Sequence, residues 1–312
     1  MFLFLAGATG FAGSHLLPEL RRRGIKGRCL LRDAKKALLC EGFETVTGSL
    51  DDIPSGALDG VDTVVHLVGI MQEAGSQTFE SVHVKGTQNL VTEALRAGVK
   101  IKNFFYQSSL GASLKSPSRY QKSKAMAEEI VKDSGIRYTI FRPSLILGPG
   151  DGFTKQMARM ISSSPVIAIP GSGESRFQPV MVSDWIKCFL TAIEGGQRNN
   201  TYEIGGPEYL SFNDLVREYL KAMGVEDRKK VFHFPMGLAR AGLSLLSAAK
   251  TAGIKNITPV GREQLLLLGM DNITAIDSIE KQFGFEPQSV KGKIRQFIPD
   301  EYLTDLFRGK TT

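Results

Sequence analysis

A short apolar run that breaks into glycines constrains this chain more than any other stretch. Phe2-Leu3-Phe4-Leu5-Ala6 leads into Gly7-Ala8-Thr9-Gly10-Phe11-Ala12-Gly13, which spaces its glycines as G-x-x-G-x-x-G. Read as a buried strand turning directly into a helix, the stretch aims backbone N–H groups at an anion, and a dinucleotide pyrophosphate suits such a turn. The commoner dinucleotide fingerprint is G-x-G-x-x-G, so this spacing narrows the group of chains that it fits. Glycine-rich turns after strands are frequent, and other residues have to decide.

Downstream the pattern alternates between strand and helix. Phe11 to Arg23 reads as a helix with Leu16, Leu17 and Leu20 on its apolar face, cations Arg21, Arg22 and Arg23 in its last turn, and Gly24 as its stop. Strands are predicted over 26–32, 44–48, 61–68, 103–107 and 138–142, and helices over 82–97 and 120–134, with Asp33 capping a further helix from Ala34. The run over 61–68 is nearly all apolar, as in a strand covered on both faces. The alternation predicts an α/β fold with a doubly wound parallel sheet.

From Leu147 the alternation lapses into a loop over 148–152, a helix over 153–162, extended segments over 166–170 and 177–182, and helices over 183–194 and 211–222 capped by Ser183 and Ser211. Apolar stretches follow over 235–254 and 263–268. The expected division is a dinucleotide-binding domain over 1–147, to which 183–210 returns, and a smaller, partly interleaved C-terminal substrate domain from 148–182 and 211–312.

Composition excludes several classes. With 312 residues, 42% hydrophobic and 23% charged, the chain has the makings of a large soluble core. It has no apolar run of about 18 residues for a transmembrane helix, and it opens on a strand without a leader, so a cytoplasmic protein is expected. Cys29, Cys40 and Cys188 are odd in number and lack C-x-x-C spacing, which points to a reducing compartment without a disulfide framework. His15, His66, His83 and His233 have no ligand spacing, and no metal is expected. The formal charge of +7 is scattered and accompanies no nucleic-acid motif, so no nucleic-acid partner is expected. Between Glu226 and Asn256 six basic residues face two acidic ones, and the apolar stretch over 235–254 reads as a lid over a substrate cleft or as an interface for a membrane surface or protein partner.

Tyr120-Gln121-Lys122-Ser123-Lys124 places a phenol and an ammonium four residues apart on one helical face. A nearby ammonium lowers a phenol's pKa, which would fit Tyr120 for proton transfer near neutrality. The helix follows a strand ending in Ser108-Ser109, where a hydroxyl could polarise a substrate oxygen opposite the phenol.

The glycine turn, the serine, the Tyr120-x-x-Ser123-Lys124 run and Arg142-Pro143, in this order, resemble the short-chain dehydrogenase/reductase superfamily over about the whole chain. Gly148-Pro149-Gly150-Asp151-Gly152-Phe153, Phe177-Gln178-Pro179-Val180 and Tyr202-Glu203-Ile204-Gly205-Gly206-Pro207 look most like its extended or atypical, epimerase/dehydratase-like branch, near the proteins related to the nucleotide-binding accessory subunit of respiratory complex I.

The resemblance implies a Rossmann-type domain and an NAD(P)-dependent oxidoreductase or epimerase-like activity, with hydride transfer at a carbonyl or alcohol carbon of a small-molecule substrate such as a nucleotide sugar. It makes Ser108 the substrate-orienting serine with Ser109 as runner-up, Tyr120 the acid/base, and Lys124 the holder of the nicotinamide ribose. It places Gly7, Thr9, Gly10, Phe11, Ala12 and Gly13 at the pyrophosphate, Leu50 near the adenine, Leu67, Val68 and Gly69 behind the adenosine, and Pro143 beside the nicotinamide amide. Arg176 matches a position that meets the diphosphate of sugar nucleotides. Arg32, nineteen residues after Gly13 and close to Lys35 and Lys36, stands where an arginine favours a 2′-phosphate, so NADP is expected ahead of NAD. The alternative makes Asp33 the ribose ligand. His83 replaces the asparagine usual in relatives and is expected to have no chemical role. The rival reading is an NADP(H)-binding structural, assembly or redox-sensing protein with little or no turnover.

Overall fold

The computed structural model describes residues 1–98, 101–195, 199–239, 241 and 261–303, and the chain forms two compact units. The first comprises Met1–Pro143, Val182–Ile204 and Ser278–Phe285. Its chain runs β1 (Phe2–Ala6), α1 (Phe11–Arg22), β2 (Lys26–Leu31), β3 (Glu44–Thr47), β4 (Thr63–His66), α2 (Gly86–Arg96), β5 (Asn103–Gln107), α3 (Arg119–Asp133) and β6 (Tyr138–Pro143). The chain then contributes β7 (Ile146–Leu147), α4 (Gly152–Ser163), β8 (Val166–Pro170), β9 (Arg176–Phe177) and β10 (Val180–Met181) to the second unit. It returns to the first as α5 (Val182–Glu194) and β11 (Asn200–Ile204).

Seven strands of the first unit pair in parallel in the order β3-β2-β1-β4-β5-β6-β11. The sheet is the expected doubly wound one, and its order reverses between β1 and β4, where such folds hold ligands at the C-terminal strand ends. Leu3, Phe4, Leu5, Val64, Val65, Phe104 and Phe105 have no exposed surface, which explains the unbroken apolar runs of the central strands. Phe4, Val64 and Phe104 pack with Leu90 and Val91 of α2 and Ala127 and Val131 of α3. Phe105 meets Phe141, Trp185 and Phe189 edge-on, which brings α5 into the same core.

Several elements differ from the sequence expectation. The helix predicted over 82–97 is a π-helical turn, Glu80–Lys85, running into α2. The helix from Ala34 is a 3₁₀ segment, Ala34–Cys40, capped as expected by Asp33, whose carboxylate accepts the Lys35 N–H at 3.0 Å. Ser183 lies inside the first turn of α5 and not at its cap. Residues 278–285, assigned by sequence to the substrate domain, belong to the first unit. The Phe283 ring packs against Phe141 and Tyr202, with centroids 5.7 and 5.1 Å apart, and Gln282 Nε2 donates to the Glu203 carbonyl at 3.1 Å.

The second unit comprises Ser144–Met181, Gly205–Asp277 and Glu286–Thr312. It adds β12 (Leu210–Ser211), α6 (Phe212–Ala222), β13 (Lys230–Phe234) and α7 (Arg262–Leu268). Short pairs join β7 with β10 and β8 with β13 in parallel, and β9 with β12 in antiparallel fashion. Its core gathers Met157 and Ile161 of α4, Ile167 and Ile169 of β8, and Leu215, Tyr219 and Leu220 of α6. Ser211 caps α6 as expected, in a reciprocal box with Asp214. A further α-helix, α8 (Ser278–Phe283), joins the first unit. Within the stretch over 235–254, residues 240 and 242–254 lie outside the described residues, and with them the choice between lid and interface. Among the described residues no helix is long and apolar enough to cross a membrane.

Candidate active site

At the reversal of strand order the chain leaves β1 through Gly7, whose φ of +94° suits glycine alone among common residues. A Cβ at Gly7 would stand 3.0 Å from the carbonyl carbon of Leu67 and the nitrogen of Val68, so the turns after β1 and β4 touch here. At Gly13 a Cβ would stand 2.4 Å from the Gly7 carbonyl oxygen and 2.6 Å from that of Ala8, which is how closely α1 rides on the turn. Gly10, extended at the N-cap of α1, donates its N–H to the Gly7 carbonyl at 3.0 Å and provides no side-chain cap. Bare backbone at a helix start, with its partial positive charge, fits the pyrophosphate of a dinucleotide. Thr9, Phe11 and Ala12 are half-buried around it. Gly13→Ala is expected to cost about 1–3 kcal/mol by overpacking and to weaken dinucleotide binding, read by thermal unfolding and calorimetry. Gly10→Ala, whose Cβ meets nothing closer than 3.2 Å, should unfold nearer to the wild type.

Ser118 caps α3 by accepting the Gln121 N–H at 3.2 Å, which sets Tyr120 and Lys124 on the buried face. Tyr120 is 8% exposed, with its ring edge-on to Phe79 and His83. Lys124 is buried. Its Nζ donates to the Gln107 carbonyl at 2.7 Å and lies 4.9 Å from the Tyr106 ring centre. A Cβ on Gly69 would stand 3.1 Å from that Nζ, so the ammonium reaches the turn after β4. Burial pulls the Lys124 pKa down to about 7, against the opposing pull of the Glu128 carboxylate. Burial likewise raises the Tyr120 pKa, opposed by the neighbouring Ser109 hydroxyl. The phenol pKa is therefore raised, and not lowered as the Tyr-Lys spacing suggests, because burial outweighs the Ser109 hydroxyl.

The two serines part company at the end of β5. Ser108 Oγ donates to Glu128 Oε1 at 2.5 Å, and the same carboxylate takes Arg142 Nε at 2.9 Å and Nη2 at 2.6 Å. The hydroxyl preferred from sequence is thus tied into a buried ion-pair network. Among the described residues Ser109 Oγ is buried without a partner at hydrogen-bond geometry, and it is the hydroxyl beside the phenol.

The other candidates fall in different places. Arg32 is exposed just past β2 and makes no hydrogen bond or ion pair with a described residue, while Asp33 is engaged as a cap. Leu50 packs on Gly86, and its carbonyl accepts Asn89 Nδ2 at 2.9 Å. Pro143 is buried at the end of β6 and accepts the Leu110 N–H at 2.9 Å, steadying the chain just past the serines. Arg176 lies in the second unit, where Asp271 holds its guanidinium at 2.6 Å. The cation expected to meet a diphosphate already has a carboxylate on it. Sequence reading missed Glu128, Gln107 and Trp185, whose Nε1 donates to Gln107 Oε1 at 3.1 Å. Glu128 alone carried a signal, four residues after Lys124 on the same helix.

This strand order, with a glycine turn at its switch point and a buried tyrosine–lysine pair, defines a dinucleotide-binding chain of the short-chain dehydrogenase/reductase type. Residues 3–205 match the NAD dependent epimerase/dehydratase family, and the chain belongs to it. It is 27% identical over 318 residues to subunit 9 of the NADH dehydrogenase [ubiquinone] 1 alpha subcomplex of Arabidopsis thaliana mitochondria, covering 97% of this chain and 77% of that protein. It is 32% identical over 186 residues to a ceramide reductase of Caulobacter vibrioides, covering 58% of this chain and 57% of that one. The solved structure of UDP-glucuronic acid 4-epimerase from Bacillus cereus in complex with NAD aligns at a TM-score of 0.72 and 18% identity over 98% of this chain and 100% of that one, a likeness of fold.

Proposed function

We propose that the chain is an NADP-preferring oxidoreductase in which Tyr120 exchanges a proton with a carbonyl or alcohol oxygen of a small-molecule substrate and Ser109, rather than Ser108, aligns that oxygen. The observation that carries this reading is the buried Ser109 hydroxyl, beside the Tyr120 phenol and without a partner at hydrogen-bond geometry among the described residues. A bound nicotinamide dinucleotide would supply or accept the hydride. Bare N–H groups at the start of α1 would carry its pyrophosphate, and Lys124, steered by the Gln107 carbonyl, would hold the nicotinamide ribose. A charged Lys124 close to the phenol would favour its phenolate form.

The test is calorimetric binding of NADPH and NADH, followed by turnover with nucleotide sugars, quinones and long-chain ketones. Long-chain ketones enter because a ceramide reductase is among the relatives. Tight binding with no turnover on any acceptor would favour the second reading, a cofactor-binding structural or assembly protein, for which the likeness to a complex I subunit over 97% of the chain speaks.

Cofactor choice rests on Arg32, exposed and unengaged among the described residues. Hydrogen bonds between charged partners contribute about 1.5–3 kcal/mol, so Arg32→Ala is expected to weaken NADPH about 10- to 100-fold and to leave NADH nearly unchanged. Equal losses for both would remove the 2′-phosphate assignment.

A further inference from the structure

We propose that His83 is a positioning residue for Tyr120: it ties the turn after β4 to the first turns of α3 and thereby fixes the wall on which the phenol and Lys124 stand. The inference rests on the oxidoreductase reading above.

His83 has no exposed surface and sits in the π-helical turn Glu80–Lys85. Such widened turns are rare and recur at functional sites, and here Thr87 Oγ1 braces the turn by donating to the His83 carbonyl at 2.5 Å. On one side of the ring, Nε2 accepts the Ile70 N–H at 3.0 Å. On the other, Nδ1 lies 2.8 Å from Ser123 Oγ, which gives its own hydrogen to the Tyr120 carbonyl at 2.7 Å. With Nε2 accepting and the serine proton already used, the single ring proton belongs on Nδ1. Burial, reinforced by Lys124 and His66, holds the His83 pKa to about 2, so the ring stays neutral.

This hydrogen-bond chain ends on the Tyr120 carbonyl and not on the phenol. It therefore orients the helix and carries no proton to the reacting oxygen. Ring packing does the same work: His83 stacks on Phe79 at 5.6 Å and meets the Tyr120 ring edge-on at 5.6 Å. A second tie lies on the other side of Tyr120, where Glu73 accepts the Phe79 N–H at 2.9 Å and both Nη atoms of Arg119 at 2.9 and 3.1 Å. The loop from Ile70 to Phe79 is thus pinned to α3 through Arg119 and Ser123, which flank the tyrosine. Gly69 precedes the first pin, and a Cβ there would stand 3.5 Å from His83 Nε2 and 3.1 Å from Lys124 Nζ.

The experiment combines nitrogen-15 spectra, amide exchange at Ile70 and steady-state kinetics on the full chain and on His83→Leu, His83→Gln and Ser123→Ala. The wild-type ring is expected to carry Nδ1–H and not to titrate between about pH 5 and 8. His83→Leu should lower kcat on the order of 10- to 100-fold with little change in KM and speed exchange at Ile70. Glutamine, which can both accept from Ile70 and donate to Ser123, should restore most of both, with the pH–rate limbs of the wild type. Ser123→Ala, which leaves the Ile70 bond intact, should slow kcat by a smaller factor; if His83→Leu does not fold, this variant and glutamine still decide. A ring with Nε2–H, or wild-type kcat and Ile70 protection in His83→Leu, or wild-type kcat in Ser123→Ala, would overturn the proposal. Absence of wild-type turnover on every acceptor would fail the oxidoreductase reading alone, because the tautomer and the Ile70 exchange still report the tie.

Discussion

Tyr120→Phe is expected to lower kcat by about 10²- to 10⁴-fold, the usual worth of a positioned general acid or base, while leaving dinucleotide affinity close to that of the wild type. The substitution deletes one oxygen. The ring contacts with Phe79 and His83 survive it, so neither the fold nor the glycine turn has reason to move. Calorimetry and single-turnover kinetics separate the two effects. A variant that keeps more than about a tenth of wild-type kcat would show that the phenol is not the proton-transfer group.

Lys124→Met is expected to abolish most turnover and, in the ligand-free chain, to raise stability. The sign follows from the pKa. Burial holds the folded ammonium at about 7 against an ordinary value of 10.5, so between those values the unfolded chain binds a proton that the folded chain does not. The site's contribution to stability therefore falls as pH drops through that window and is at its lowest below 7. Methionine fills a similar volume without a charge, and the gain in stability should be largest near pH 6 and fade as pH approaches 10.5. Thermal unfolding across that range checks it. A pH-independent difference between variant and wild type would mean that Lys124 keeps an ordinary pKa. Stability surrendered for a charged group in a buried site is a common trade at active centres.

Much of this geometry is legible in the sequence wherever one local rule decides the outcome. Apolar runs mark β1, β4 and β5 because both faces of those strands are covered, and the Ser211 and Asp33 caps are readable because capping is a contact within three residues. The choice between Ser108 and Ser109 is not local. It depends on which hydroxyl Glu128 reaches from α3, a contact twenty residues away. The Tyr-Lys spacing likewise announces a pair, but the sign of its effect on the phenol depends on burial contributed by Phe79 and His83, which spacing does not contain. The ion pair of Arg176 is hidden from a local reading for the same reason: its partner Asp271 is remote in sequence. β11 escaped as well, since Asn200-Thr201-Tyr202-Glu203-Ile204 has too short an apolar pattern to stand out beside the motif that overlaps it.

The late arrival of β11 and α8 has a consequence for how the protein is made. Six strands of the sheet have been synthesised once Pro143 is added, yet β6 has no neighbour on its outer edge until Asn200–Ile204 pairs there, and Phe141 lacks the Phe283 ring until that residue follows. A nascent chain at that stage carries an open strand edge and bare aromatic surface, the features that recruit other chains. A fragment cut after residue 205, where the family match ends, would keep β11 and lose the Phe283 cover. The first unit is therefore finished by a helix synthesised well after β6, and aggregation of fragments that stop short of Phe285 is the cost of building that unit from segments far apart along the chain.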